Sequence, residues 1–267
     1  MTPVFRSLRT DRLCLAALAA GAWLAGTPAA DAASVAYNFS ETNSNPSQSL
    51  DTTTPKGPLG SSIWNDSYVT TTGGVATGTE TNLVDNTGAN TGMSISWTSK
   101  ETWFGDGGGT TQDQRIVLGY LDDGDQGGAN PGVFVTLSNI SYSLYNVYLI
   151  LASDAGTNTT YTSQDFLLNG STWIFGGASA TTATAFASME STSANGTWTR
   201  AIAGVQTGNY ALATNLSGST LTIDGLIGAG GARGSLAGII IEQVPEPSAA
   251  LLAAAGGMLL FRRRRND

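Results

Sequence analysis

Phe166-Leu167-Leu168-Asn169-Gly170-Ser171-Thr172-Trp173-Ile174-Phe175 is the stretch that decides the fold class. Two short apolar and aromatic runs flank an Asn-Gly pair. A two-residue type I′ turn needs positive φ at both central positions, which Asn and Gly tolerate best. The segment therefore reads as a β-hairpin with strands over 165–168 and 172–175. Working outward, alternation and β-branched or aromatic enrichment place further strands at 94–97, 115–118, 133–137, 146–152, 210–213, 220–223 and 236–242. A second Asn-Gly pair, Asn195-Gly196 before Trp198, suggests another hairpin. Spacings of about 8 to 20 residues, with no long 3.6-residue period, point to an all-β fold, an antiparallel β-sandwich.

Composition agrees. The chain of 267 residues is rich in Gly, Thr, Ser, Asn and Ala and only 12% charged, a profile of short strands joined by many turns. Between Ala33 and Gln243 the basic residues are Lys56, Lys100, Arg115, Arg200 and Arg233, against sixteen Asp and Glu, so five minus sixteen leaves a formal charge of −11. Such a surface repels nucleic acid. Seven of the twelve basic residues lie in the two terminal segments. Histidine is absent and the one cysteine is Cys14. A chain without histidine has no Ser-His-Asp or Cys-His machinery and lacks the commonest zinc ligand.

The two ends carry topology. Arg6, Arg9 and Arg12 precede an apolar run from Leu13 to Leu24, and Ala30-Asp31-Ala32 follows. This is the charged, apolar, small-residue order of a secretory signal, expected over 1–32 with cleavage before Ala33. Twelve apolar residues are short of the roughly 20 that span a bilayer, which disfavours a permanent N-terminal anchor. At the other end Val244-Pro245-Glu246-Pro247-Ser248 is followed by thirteen apolar or small residues, Ala249 to Phe261, and then Arg262-Arg263-Arg264-Arg265. The prolines keep the peptide extended and open to a protease. The apolar run is expected to form a helix lodged in the membrane, with the arginines held on the cytoplasmic side. Thirteen helical residues reach about 20 Å against a hydrocarbon core of about 30 Å, so the helix suits a transient stop better than a lasting anchor.

With those residues in view, 244–267 resembles a PEP-CTERM sorting domain, Pro245, Glu246 and Pro247 matching the motif that names the family. The resemblance implies an exosortase, a membrane transpeptidase, as processing partner after the export machinery, and delivery among exopolysaccharide. The intervening domain, 33–243, begins with a loosely ordered stretch over 40–60, rich in Thr, Ser, Asn and Pro. Its Tyr145-Asn146-Val147-Tyr148, Gly208-Asn209-Tyr210 and Gly238-Ile239-Ile240-Ile241-Glu242 segments resemble galactose-binding-like jelly-roll ectodomains, a likeness that implies sugar binding as one possibility.

Candidate chemistry is sparse. Asp122, Asp123 and Asp125 share a glycine-rich loop with Gly124, Gly127 and Gly128, and closely spaced carboxylates there could supply oxygen ligands to calcium. No glutamate falls at the closing position of an EF-hand, and a solvated turn is the competing reading. Otherwise no cofactor is expected. Trp64, in Ile63-Trp64-Asn65-Asp66, and Trp103, in Thr102-Trp103-Phe104-Gly105, lie nearer loops than Trp97 and Trp173. An exposed indole there could serve as a platform for the apolar face of a sugar. A glycoside hydrolase would need two facing carboxylates, drawn from Glu41, Glu80, Glu101, Glu190 and Glu242, and no motif pairs them. The expectation is an exported, non-enzymatic surface or matrix protein with a structural or adhesive β-sandwich, the alternative being a carbohydrate-binding module.

Overall fold

The computed structural model describes residues 32–41, 49–69, 71–72, 75–104, 111–122, 132–151, 163–164, 166–174, 198–202, 208–225, 232–233 and 235–245. The chain divides into two compact units, Met1–Ala32 and Ala33–Asp267. Of the first, Ala32 alone is described, so the expected signal segment lies outside the described residues, as do the expected C-terminal helix and the Asn195-Gly196 turn. Among the described residues no helix is long and apolar enough to cross a membrane.

The second unit is mostly β. In chain order its strands are β1 (Ser34–Glu41), β2 (Asn65–Val69), β3 (Thr71–Thr72), β4 (Val75–Thr81), β5 (Ser94–Ser99) and β6 (Glu101–Phe104). A helix, α1 (Gln112–Leu118), leads into β7 (Gly119–Asp122), β8 (Val133–Ser138) and β9 (Tyr145–Leu151). Then come β10 (Ser163–Gln164), β11 (Phe166–Leu168), β12 (Thr172–Ile174), β13 (Tyr210–Leu216), β14 (Thr220–Gly225), β15 (Ala232–Arg233) and β16 (Leu236–Gln243).

Two seven-stranded sheets result. The first runs β13-β9-β16-β1-β2, with β7 also paired to β16 and β6 to β7; the second runs β12-β11-β14-β8-β5-β4-β3. Pairing between strands is antiparallel in both, except that β1 and β2 are parallel. Two-residue β10 and β15 pair separately. The hairpin behaves as its turn chemistry dictates: Asn169 and Gly170 have φ of 50° and 64°, and Phe166 pairs with Ile174 and Leu168 with Thr172.

One apolar cluster joins the sheets. Val35, Tyr37 and Phe39 of β1 and Ile239 and Ile241 of β16 meet Ile95, Trp97, Val135, Leu137, Leu221 and Ile223 of the second sheet. Burying an aliphatic side chain of this size contributes about 1.5–3 kcal/mol, so this interior is the main source of stability. Trp97 stacks against Tyr37 and Phe39, ring centroids 5.6 Å from each, and Tyr37 Oη donates to Glu80 Oε2 of the opposite sheet at 3.0 Å.

The first sheet is also covered on its outer side. Ala36, Ile150, Ala237 and Ile240 pack there beneath Ile116 and Val117 of α1, with Trp64 and Tyr120. A strand buried on both faces reads as a continuous apolar run, as Leu236-Ala237-Gly238-Ile239-Ile240-Ile241 does. Asn38 points into this cover and its Nδ2 donates to Ile116 O at 2.7 Å and Ala237 O at 2.9 Å, tying helix to sheet.

Two expectations are corrected. Residues 115–118, expected as a strand, belong to α1. The Ile116-Val117-Leu118 run is apolar enough for either state, and a capping box decides it: Thr111 Oγ1 accepts from Gln114 N, and Gln114 Oε1 accepts from Thr111 N. Residues 49–60, expected as loose, are tied down. Asp51 accepts from the backbone N–H of Thr53 and Thr54, and the buried Lys56 ammonium donates to Asp51 O at 2.6 Å and Ser62 O at 2.7 Å. Burial pulls the Lys56 pKa down, against the Asp51 carboxylate beside it. Gly57, at φ 75°, lets the loop turn beneath Trp64.

Candidate functional site

The outer face of the second sheet is left open, and its residues form a grid. Strand alternation sends Ile95, Val135, Leu221 and their neighbours inward and the intervening side chains outward. Register aligns those outward positions across four strands. One row is Thr81, Ser94, Ser138 and Thr220; the next is Thr79, Ser96, Thr136 and Thr222; the third is Thr77, Thr98, Phe134 and Asp224. Ten of these twelve positions carry a hydroxyl. Neighbours in a row stand about 5 Å apart and rows about 7 Å apart, as β geometry requires.

A shallow, open groove of about 420 Å³ runs over part of this grid, lined by Thr77, Gly78, Thr79, Ser96, Trp97, Thr98, Phe134 and Thr136. Phe134, 45% exposed, is the most exposed large hydrophobic side chain among the described residues. Gly78 has a specific role. A Cβ built there would overlap Cζ2 and Cε2 of Trp97, so the missing side chain makes room for the indole against the inward face of β4. Trp97 is only 6% exposed, yet its Nε1 has no hydrogen-bond partner among the described residues. A buried donor left unmatched costs about 1–3 kcal/mol. Among the described residues no lysine, arginine or carboxylate lines the groove. Asp224 lies beside it, cross-strand from Phe134, and burial pushes its carboxyl above the ordinary value.

The residues singled out from sequence fall elsewhere. Trp64 is 7% exposed and donates Nε1–H to Ser61 O at 3.1 Å; it belongs to the cover of the first sheet and offers no open ring face. Trp103 lies in β6 opposite Tyr120, and its side chain is not among those described. Asp122 closes β7, 5% exposed, and accepts from Ser235 Oγ at 3.4 Å. Asp123 and Asp125 lie outside the described residues. Among the described residues no group of three His, Cys, Asp or Glu side chains is placed to hold a metal ion. Of the tail motif, Val244 and Pro245 are described: Val244 N donates to Leu144 O at 2.9 Å and Pro245 is exposed. Glu246, Pro247, Ser248 and Arg262, Arg263, Arg264 and Arg265 lie outside the described residues.

The grid itself escaped the sequence reading, although its signal is present. Thr77-Gly78-Thr79, Ser94-Ile95-Ser96-Trp97-Thr98 and Thr220-Leu221-Thr222 each alternate hydroxyl with inward residue. Only the register reveals that the hydroxyls share rows. The two carboxylate-bearing clusters on the other side are structural. Glu242 accepts from Tyr148 Oη at 2.8 Å and Asn146 Nδ2 at 2.9 Å, and burial, then the bond to Glu242, pushes the Tyr148 phenol well above its usual range. Asp113 accepts from Gly57 N and Trp198 Nε1, binding loops to α1.

No family model matches the chain, and no curated protein matches it. Among solved structures it is similar to the protein YxiM of Bacillus subtilis, at 11% identity, over 79% of this chain and 40% of that one, with a TM-score of 0.35. The chain spans less than half the length of that protein.

Proposed function

We propose that the chain is an exported surface or matrix protein whose jelly-roll-like β-sandwich acts by structure or adhesion, without catalysis, and whose tail is a PEP-CTERM-type sorting signal read by an exosortase. The observation that carries this reading is where the tail leaves the folded unit. β16 is a central strand of the first sheet, and two residues after it ends at Gln243 comes the exposed Pro245. A motif that begins there follows directly on a strand of the folded unit, which suits recognition by a processing enzyme. Gln243 N donates to Ala33 O at 2.8 Å, so the proposed signal-cleavage point and the sorting motif emerge side by side on neighbouring strands.

The second support is chemical. The open groove presents hydroxyls and the Phe134 ring and, among the described residues, no carboxylate, a lining that can hold a ligand but offers no general acid or base there. The signal segment over 1–32 and the short apolar run after Ser248 complete the proposed route: export, a transient membrane stop, then release or attachment at the surface.

The route is tested by following a tagged full-length chain in cells with and without an exosortase. Replacing Pro245 and Pro247 together with alanine is expected to leave an unprocessed, membrane-associated form, like the one seen without the enzyme. Processing unchanged in both cases would sink the sorting reading.

A further inference from the structure

We propose that the groove across β4, β5 and β8 binds a strand of uncharged polysaccharide, with Phe134 as its stacking platform and the hydroxyls of Thr98 and Thr136 as its hydrogen-bonding rail. This deepens the adhesive reading and rests on it, since it assigns the contact by which an exported protein would hold a matrix.

Three independent features select that ligand. The first is the match of functional groups. A hydroxyl both donates and accepts, so rows of them at strand spacing are complementary to a ligand that itself presents hydroxyls at close, regular intervals. The side-chain hydroxyls of Thr77, Thr79, Ser96, Thr98 and Thr136 take part in no hydrogen bond among the described residues. The second is the exposed aromatic ring. Phe134 stands 45% exposed in the middle of an otherwise polar face, where solvent contact stabilises nothing and the C–H face of a sugar ring would cover it. Trp97 lies beneath the same strands with its ring in the interior, so Phe134 is the ring that this face offers to a ligand. The third is charge. Among the described residues no cation lines the groove, and residues 33–243 carry a formal charge of −11. Acidic polysaccharide and nucleic acid are repelled, and an uncharged chain is not.

The volume fits a short run of ring-sized units rather than a single ion, being within the range of small-ligand clefts. The rows run across the strands, so a bound chain lies perpendicular to β5, spanning from Thr77 through Thr98 to Phe134.

The test uses the purified full-length chain on an array of uncharged and acidic glycans, with affinity electrophoresis in gels containing the best uncharged polymer or alginate. The expected result is retardation by the uncharged polymer and none by alginate. Phe134→Ala is expected to weaken retardation at least about tenfold, Phe134→Tyr to restore it, and Thr98→Val with Thr136→Val to weaken it severalfold. All of these point outward, so thermal melts of the variants should match the parent and separate lost binding from lost folding. Binding to no uncharged glycan, stronger binding to alginate, or Phe134→Ala binding like the parent would overturn the proposal. So would concentration-dependent dimers abolished by Phe134→Ala, which would assign the face to a second copy. Glycan binding that persists while processing ignores Pro245 and Pro247 strikes the sorting reading alone; processing that proceeds without glycan binding strikes the groove alone.

Discussion

The two sheets have equal strand numbers and share one interior, yet their outer faces have opposite fates. On the first, α1 and the 49–64 loop cover Ala36, Ile150, Ala237 and Ile240, and the cover is stapled by Asn38, Lys56 and Asp113. On the second, Thr77, Thr98 and Phe134 stand open. The tryptophans repeat the contrast. Each lies against a glycine, Trp64 on Gly57 and Trp97 on Gly78, but Trp64 has an acceptor in Ser61 and Trp97 has none among the described residues. The lesson is that a fold of this kind spends its apolar residues on one outer face and keeps the other for contact with something else.

The sharpest way to break this comparison is to truncate one large side chain on each outer face. Ile240→Ala is expected to cost about 2–5 kcal/mol, because the side chain is fully enclosed between β16 and α1 and its removal leaves a cavity. Phe134→Ala, removing a larger group, is expected to change stability by no more than about 0.5 kcal/mol. Chemical denaturation of both variants decides it, and equal losses would mean that the second sheet's outer face is also covered.

Removing the staple comes next. Asn38→Ala leaves the carbonyls of Ile116 and Ala237 without their donor in a buried setting, at an expected cost of about 2 kcal/mol. Hydrogen exchange should show α1 opening before the sheet. Gly78→Ala probes the other tryptophan. The added methyl collides with the Trp97 ring, and the rearrangement is expected to cost about 1–3 kcal/mol with a change in tryptophan fluorescence. A silent substitution would mean that the ring does not occupy the gap.

How far these features can be read from sequence depends on what each strand buries. β16 is conspicuous because both its faces are apolar, and the hairpin because Asn169-Gly170 admits one economical turn. β4 escapes for the opposite reason: its inward residues are Ala76, Gly78 and Glu80, and the space that a large side chain would fill is taken by Trp97 of the next strand. β1 hides in Ser34-Val35-Ala36-Tyr37-Asn38-Phe39, where Asn38 breaks the apolar signal because it bonds beneath α1. The helix is masked by Ile116-Val117-Leu118, whose β-branched Ile and Val suit a strand, while its capping box lies upstream at Thr111. Exposure of Trp64 could not be judged from its loop-like neighbours, since the segment that buries it lies in the polar stretch before it. The groove is the least readable feature, because its rows are made by register between four strands distant in sequence.

The smallest effect expected is electrostatic, and it separates the open face from the sheet margin. Asp224 sits beside Phe134 with its carboxyl pushed up by burial. At Asp85 burial also works upward, but donation from the Thr87 hydroxyl at 2.6 Å and from the N–H groups of Thr87, Ala89 and Gly88 outweighs it and holds the pKa below its ordinary value. The signs are opposite. A group raised in the folded state binds more protons folded than unfolded, so its favourable contribution is complete below the unfolded pKa and is lost as pH rises through the folded value. A lowered group contributes above the unfolded pKa and loses that contribution as pH falls through its folded value. Thermal melts should therefore show Asp224→Asn equal to or above the parent at pH 7 and losing that advantage as the pH falls towards about 4. Asp85→Ala should melt below the parent at pH 7, with the gap narrowing in acid. If Asp224→Asn melts lower at pH 7, the carboxylate is held by a partner, and burial is not what sets the ionisation of the group beside Phe134.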